Sequence, residues 1–559
     1  MKVIYLTCWL SSPLLLVSSQ ATAQPGGNLE VSEIQKITDA SQGGFRPFIE
    51  FSVAGQVMRG LLDTGSSDLN IPKTGSEFCR GEGEQCDGRT TGFKAGSLDV
   101  NKNKTDIRDL NIPLNATFTG GAAFVGTFIE SSLQVTPGGK EVPVRMGLVE
   151  SGGVPPGQVS FPVMGIGPIQ GESAKDPYPN VPARFKQDDL SKSNAYGLYL
   201  GDFRSPNNGS LVWGGFDAAK FEGELKAAPL LKPDGDSLPA FVVDFSSVGL
   251  APSRDTDQGN NSQGRPNRQK SAVSESDDSI PWSGEFKTSA FTSRRLDNAR
   301  VPSYAHTSQS LSTRDLLQRQ QRGNLLSNDA PPVAWLDTGV PEIILSGGTL
   351  DALGRRLGAR PGPQGEFLAD CNRIRGMDLT LGMNQDNVQV RVPLDSIIVA
   401  PDPGSGAGEP GNAGRGNSRQ PQRGRNQRGP NKGQNNGKGR GGNRQGGNQQ
   451  GGNQQGGNQQ GGNQQGGNQQ GGNTPNGNGQ GGNDNIGSGT SPGAGAGTCQ
   501  LAIAPVQGNG PTDIPVLGAP ALQSMYVVFD MDSKALMIAQ AKMNETRTDI
   551  REYIPGGGS

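Results

Sequence analysis

One short pattern occurs twice in this chain and constrains its fold more than any other feature. GLLDTGSSDLNIP surrounds Asp63, and AWLDTGVPEIIL surrounds Asp337. Each copy has two apolar residues, then Asp-Thr-Gly, then a mostly apolar run. A single Asp-Thr-Gly is an ordinary turn, because Asp bonds its own backbone and Gly accepts either backbone hand. Two copies in matching apolar contexts predict one loop in each of two halves of the chain. The apolar residues bury a strand, and Gly65 and Gly339 let the backbone turn tightly enough for the two loops to meet. The carboxyls of Asp63 and Asp337 would then lie side by side at the junction of the halves.

Two carboxyls that close cannot both ionise easily, so they share a proton. The ionised one can activate a water while the protonated one polarises a carbonyl oxygen, chemistry that runs best at acid pH. Histidine offers little alternative. His306 is the only one among 559 residues, which excludes a multi-His metal site and any His-based triad that does not use it. No metal or other cofactor is expected. With 51 Lys and Arg against 53 Asp and Glu, charge alone implies neither a strongly basic nor a strongly acidic partner.

Composition divides the chain. Hydrophobic residues make up 32% and aromatic residues 5%, against 86 Gly and 40 Pro, which is too polar for a packed fold throughout and too apolar for disorder throughout. Residues 403–498 are a Gly, Asn, Gln and Arg tract that settles into GGNQQ repeats. Almost nothing there can be buried to offset ordering entropy, so a disordered insertion is expected. Its basic front part lacks aromatic residues to stack on bases. No specific nucleic acid is expected, and a solvated spacer or weak contact with anionic cell-wall polymers suits it better. A second disordered insertion is read at 253–329, holding His306 and the dibasic pair Arg294 and Arg295, which a processing protease could cut. The rest is rich in short β-branched and aromatic runs such as RPFIEFSVAG, AFVVDFSSVGL and SMYVVFDMD, which predicts an all-β architecture with a few short helices.

Residues 1–23 read as a secretory signal, with Lys2, an apolar stretch through Val17 and small residues Ala21 and Ala23 before Gln24. No other segment approaches the roughly 20 apolar residues of a spanning helix. The C-terminal REYIPGGGS lacks the hydrophobic tail of a lipid-anchor signal. A secreted, extracellular or cell-wall-associated chain is expected. There, Cys79, Cys86, Cys371 and Cys499 favour two disulfides. Nearest-neighbour pairing joins Cys79 to Cys86 and Cys371 to Cys499, although four cysteines allow three arrangements. Their spacing does not suit zinc. Sequons at Asn103, Asn115, Asn208, Asn260 and Asn544 fit the same route.

These motifs resemble the pepsin-type aspartic endopeptidases, in particular the secreted fungal yapsin and candidapepsin group. Beyond the two Asp-Thr-Gly loops, VMGIG at 163–167 and IPVLGAPALQSMYVVFDMDSKALMIAQA at 514–541 resemble the strands that pass behind each catalytic loop. PYPNVPARFKQDDLSKSNAYGLYLGD at 177–202 resembles a helix-then-strand block, and GSLVWGGFDAAKFEGEL at 209–225 resembles the bridge between lobes. The resemblance implies a bilobal fold with a central cleft, an N-terminal lobe and bridge at 24–225, and a C-terminal lobe at 226–559. It implies Asp63 and Asp337 as the dyad, Thr64 and Thr338 as braces between the loops, and Ser66 as a hydrogen-bond donor to Asp63. ATFTGGAAFVGTF at 116–128 resembles the hairpin flap over substrate, with Phe118 in the flap and Gly120 and Gly121 at its tip. It also implies one disulfide after the first motif, matching Cys79 and Cys86, and another in the second lobe, matching Cys371 and Cys499. Polypeptide substrates and a monomer are expected.

Three positions depart from the family pattern. Val340 stands where a Ser or Thr would bond the second Asp. Phe118 matches the flap Tyr, and Asn70 stands where a Trp meets that Tyr. No basic propeptide of the usual kind fits between Gln24 and Asp63. An acid endopeptidase is the leading reading, and a non-catalytic peptide- or protein-binding homologue on the same fold is the alternative. An adhesive role centred on the repeat tract would not require the dyad.

Overall fold

The computed structural model describes residues 24–25, 29–37, 45–81, 86–87, 94–118, 121–154, 161–205, 208–232, 239–253, 323–362, 365–401, 497–506 and 514–556. The signal segment 1–23, Gly120, Asn260, Arg294, Arg295, His306 and most of both insertions lie outside these residues.

Among the described residues strands dominate, as the β-branched runs predict, and a thirteen-stranded sheet forms the frame. Strands Arg46–Val53, Gln56–Asp63, Val163–Gly165 and Leu69–Pro72 sit near its middle, and Val142–Gly153, Ala123–Gln134 and Arg108–Thr117 close one end. Burial follows position. Ala195–Tyr199 and Met525–Asp530 are buried at every residue and pair with each other, whereas the outermost strand Arg108–Thr117 alternates between exposed and inward residues. Met525–Asp530 and Ala535–Ala541 come from late in the chain, so a sheet boundary does not fall at 225. Early strands Gln24–Pro25, Val31–Ile37, Arg46–Val53 and Gln56–Asp63 occupy most of the stretch from Gln24 to Asp63.

A seven-stranded sheet carries the second loop. Its order places Val333–Leu336, Val516–Leu517 and Ile343–Leu345 side by side. One large hydrophobic cluster runs through both halves, from Ile34 and Phe51 to Leu381 and Val390.

Among the described residues, the two longest helices are short and carry recognisable ends. Val181–Gln187 begins at Asn180, whose side chain accepts from the Ala183 N–H, with Pro182 in the first turn. Gly347–Leu357 begins at Ser346, which accepts from the Thr349 N–H, and stops at Gly358, whose φ of 64° is the left-handed cap that glycine favours. Its buried Leu350, Leu353 and Leu357 lie on one face.

Disulfides join Cys79 to Cys86 and Cys371 to Cys499. The second ties down one end of the repeat tract. Strands Ile398–Pro401 and Thr498–Leu501 pair antiparallel, with Pro401 opposite Cys499, so the tract leaves and re-enters the fold at adjacent points. Loop closure grows expensive only slowly with length, which makes such an insertion tolerable.

Both insertions are shorter than the sequence indicated. Asn324 accepts from the Val248 N–H and donates to the Ser246 carbonyl, and Leu325 N–H donates to the Val248 carbonyl, so residues 323–329 belong to the fold. Ser253 donates to Asp378. Thr498 is paired with Asp370. Polar local composition hid these ends, because their order comes from long-range bonds.

Candidate active site

The two Asp-Thr-Gly loops are built alike. In the first, Leu61, Leu62 and Asp63 run parallel to Val163, Met164 and Gly165, and Leu69 and Asn70 return antiparallel along the same short strand. In the second, Trp335 and Leu336 run parallel to Val516 and Leu517, and Ile343 and Ile344 return antiparallel. Each loop is therefore a turn between two legs with a third strand between them. Glycine is required where the third strand passes the loop. A Cβ on Gly165 would lie 2.5 Å from the Asp68 carbonyl oxygen, and one on Gly518 would lie 2.1 Å from that of Glu342.

Four hydrogen bonds lock the loops to each other. Thr64 N–H donates to Thr338 Oγ1 and Thr338 N–H to Thr64 Oγ1, each at 3.0 Å. The Thr64 hydroxyl donates to the Leu336 carbonyl at 3.0 Å, and the Thr338 hydroxyl to the Leu62 carbonyl at 2.6 Å. Both threonines are fully buried.

This lock brings the carboxyls together. Asp63 and Asp337 are both buried. Gly65 N–H donates to Asp63 Oδ1 and Gly339 N–H to Asp337 Oδ1, each at 2.8 Å. Asp63 Oδ1 and Asp337 Oδ1 lie 2.6 and 3.1 Å from a single point, the place a Cβ on Gly339 would take. A Cβ on Gly65 would lie 2.2 Å from Asp337 Oδ2. Each glycine thus leaves room for the carboxyl of the opposite loop, a need that the turn alone does not reveal.

The loops differ one step further out. The Ser66 hydroxyl donates to Asp63 Oδ2 at 2.6 Å. Val340, at the matching place, is buried in an apolar cluster with Val242, Trp335, Ile344 and Val516.

Strands Arg108–Thr117 and Ala123–Gln134 form the hairpin that the sequence marks as a flap. Phe118 N–H donates to the Ala122 carbonyl and Gly121 N–H to that of Phe118, with Gly121 at φ 83°. The Phe118 ring meets Phe124 edge-on at 4.7 Å, above a cluster of Phe78, Cys79, Cys86 and Phe128. Asn70 is buried below this hairpin. A Cβ on Gly147 would lie 2.2 Å from Asn70 Oδ1 and 2.8 Å from Leu114 Cδ2, so the amide oxygen faces apolar groups, and it has no hydrogen-bond partner among the described residues.

Sequence reading missed the carboxyls behind the loops. Asp68 Oδ1 accepts the Tyr178 hydroxyl at 2.7 Å and Oδ2 accepts the Ser173 N–H at 2.8 Å. Burial nevertheless lifts its pKa. Glu172, which accepts the Tyr178 N–H at 2.7 Å, is pushed up to about 8 by burial and by Asp68, against the pull of Arg145. Glu342 is pushed up to about 7 by burial, with Arg46 pulling the other way. Burial also holds the Tyr196 phenol well above its ordinary value, with the Asp63 charge adding to it. The signal was present: both motifs carry an acid at the same offset, Asp68 and Glu342.

Among the described residues, no group of three or more His, Cys, Asp or Glu side chains is arranged to hold a metal. No helix among them is long and apolar enough to cross a membrane.

Part of the chain is similar to known proteins. Residues 49–253 match the family model of eukaryotic aspartyl proteases. The probable aspartic-type endopeptidase OPSB of Arthroderma otae is 31% identical over 203 residues, 35% of this chain and 39% of that protein. The probable aspartic-type endopeptidase opsB of Aspergillus fumigatus is 32% identical over 208 residues, 36% and 40% of the two chains. Secreted aspartic protease 7 of Candida albicans is 27% identical over 196 residues, 35% and 31%. The chain thus matches less than half the length of each of these relatives. With its paired loops in a strand-rich fold and the match at residues 49–253, the chain is similar to the eukaryotic aspartyl proteases.

Proposed function

We propose that this chain is a secreted acid endopeptidase that hydrolyses peptide bonds with Asp63, Asp337 and one water. The observation that carries the reading is the convergence of both carboxyls on one point, held by the Thr64 and Thr338 lock. Such a pair shares one proton. The ionised carboxyl takes a proton from the water as it attacks the carbonyl carbon, and the other gives its proton to the carbonyl oxygen. Collapse of the tetrahedral intermediate then breaks the C–N bond, with a proton passed to the leaving amine. A peptide lies extended between the lobes, beneath the Phe118 hairpin, whose closure excludes water. The enzyme acts as a monomer outside the cell, and the basic tract touches anionic wall polymers.

The experiment is peptide cleavage by the purified full chain from about pH 3 to 7, with and without a statine-type inhibitor, beside Asp63→Asn and Asp337→Asn. Inhibitor-sensitive cleavage at acid pH, lost in both variants, supports the proposal. A folded protein that cleaves nothing at any pH overturns it. That outcome would favour a peptide-binding homologue, the reading that the apolar setting of Val340 and the missing Asn70–Phe118 hydrogen bond recommend.

A further inference from the structure

Strand Arg108–Thr117 stands last in the thirteen-stranded sheet, so one of its edges has no neighbouring strand among the described residues. Open edges invite pairing with other chains and are usually blunted. Part of this edge is. A bulge between Asp109 and Ile112 interrupts the ladder, and Pro113 has no N–H to offer. Residues 114–117 have neither device. Leu114 and Ala116 turn inward to the Phe78 and Phe124 cluster, whereas Asn115 and Thr117 face solvent. Opposite Asn115 stands Val125, a large apolar residue that is 41% exposed.

Asn115, Ala116 and Thr117 form a sequon, one of four whose asparagine is described. Their surroundings differ. Asn103 Nδ2 donates to the Ala54 carbonyl at 2.7 Å from a left-handed backbone. Asn208 Nδ2 donates to Glu33, and the hydroxyl of its partner Ser210 is buried in a strand. A glycan at either position would disturb contacts of the folded chain. Asn115 makes no side-chain hydrogen bond among the described residues and points outward, with Thr117 exposed beside it. Asn544 is exposed as well and serves as a reference site.

We propose that Asn115 carries an N-linked glycan whose first sugars cover Val125 and the open end of the hairpin's outer strand. The inference rests on the export reading above. A lipid-linked diphospho-oligosaccharide supplies the sugar. Asn115 Nδ2 forms a bond to the anomeric carbon, the bond from that carbon to the diphosphate oxygen breaks, the lipid diphosphate leaves with the electron pair, and the amide loses one proton. The glycan then projects from the face of the hairpin opposite Leu114, Ala116 and Phe118. A bulky polar group there blocks strand addition along the edge that Pro113 leaves unprotected.

The test is site mapping on the full chain recovered from a secretory fungal host. Enzymatic glycan release in heavy-oxygen water converts an occupied Asn to labelled Asp. Labelled Asp at 115 is the expected result. In Asn115→Gln, and separately in Thr117→Ala, one glycan is lost by mass, and the protein self-associates at concentrations where the wild type does not. An exported chain labelled at 544 but bare at 115 overturns this proposal and leaves the export reading intact. A chain that never enters the secretory pathway overturns both. An occupied Asn115 whose loss does not change self-association overturns the edge-covering role.

Discussion

Asp68 and Glu342 stand at the same place in two loops that repeat each other's strand pairing, and burial lifts both carboxyls above the ordinary range. Their surroundings are not alike. Asp68 is held by the Tyr178 hydroxyl and the Ser173 N–H, while Glu342 Oε2 is enclosed without a hydrogen-bond partner among the described residues and faces the charge of Arg46. With Glu172, they make three acids whose pKa burial raises in the folded chain.

Stability should therefore be greatest in acid. A carboxyl whose pKa is raised on folding holds its proton more tightly in the folded state. Its stabilising effect is complete below the unfolded value near 4.5 and is lost as pH climbs through about 7 for Glu342 and about 8 for Glu172. Urea unfolding at pH 4, 6 and 8 should give a falling midpoint. Glu172→Gln and Glu342→Gln should each flatten that decline, since an amide does not ionise. A midpoint that rises toward pH 8 would contradict the assignment.

Gly65→Ala should abolish catalysis without unfolding the chain. The new methyl would sit 2.2 Å from Asp337 Oδ2, so one carboxyl must move by a sizeable fraction of an ångström or more. Displacements of that order cost reactions about 100-fold, and a loss of at least that size in kcat is expected with the circular dichroism spectrum retained. Gly339→Ala, whose methyl would sit 2.6 Å from Asp63 Oδ1, should behave alike. Activity within tenfold of wild type in both would show that the carboxyls do not meet as described.

Asn70→Leu should stabilise the protein. The amide oxygen is buried beside Leu114 with no hydrogen-bond partner among the described residues, and an unsatisfied buried polar atom costs about 1–3 kcal/mol. Leucine is close in size and removes that penalty, so a gain of about 1 kcal/mol or more in unfolding free energy is expected. A loss of stability would mean that the amide is satisfied in solution.

How much of this was legible beforehand depended on range. Asp63 and Asp337 could be read because a duplicated local pattern marks them, and the all-β class because β-branched runs are local too. The role of Gly65 was visible as a turn, but its close approach to Asp337 is a contact between halves that no local pattern encodes. Asp68 and Glu342 carried a readable signal in their shared offset, yet an isolated acid after a turn resembles a solvated one until burial is known. Residues 323–329 read as part of an insertion because they are polar. Asn324 is ordered by bonds to Ser246 and Val248, which the sequence places far away.

The difference between Ser66 and Val340 gives the most direct handle on the proton that Asp63 and Asp337 are proposed to share. The Ser66 hydroxyl reaches Asp63 Oδ2 at 2.6 Å, and Val340 offers Asp337 nothing comparable. Val340→Thr is nearly isosteric and introduces a donor on the second loop. A donor aimed at a carboxylate favours loss of its proton, so the alkaline limb of the kcat profile should move to lower pH. Val340→Ala, which removes bulk without adding a donor, should leave that limb in place. Burying a hydroxyl among Val242, Trp335 and Val516 costs about 1–3 kcal/mol unless it is satisfied. Stability close to wild type together with the shifted limb would identify Asp337 as its acceptor. A large loss of stability with an unmoved limb would show that the hydroxyl never reaches Asp337, and that the asymmetry between the loops lies in packing and not in the proton.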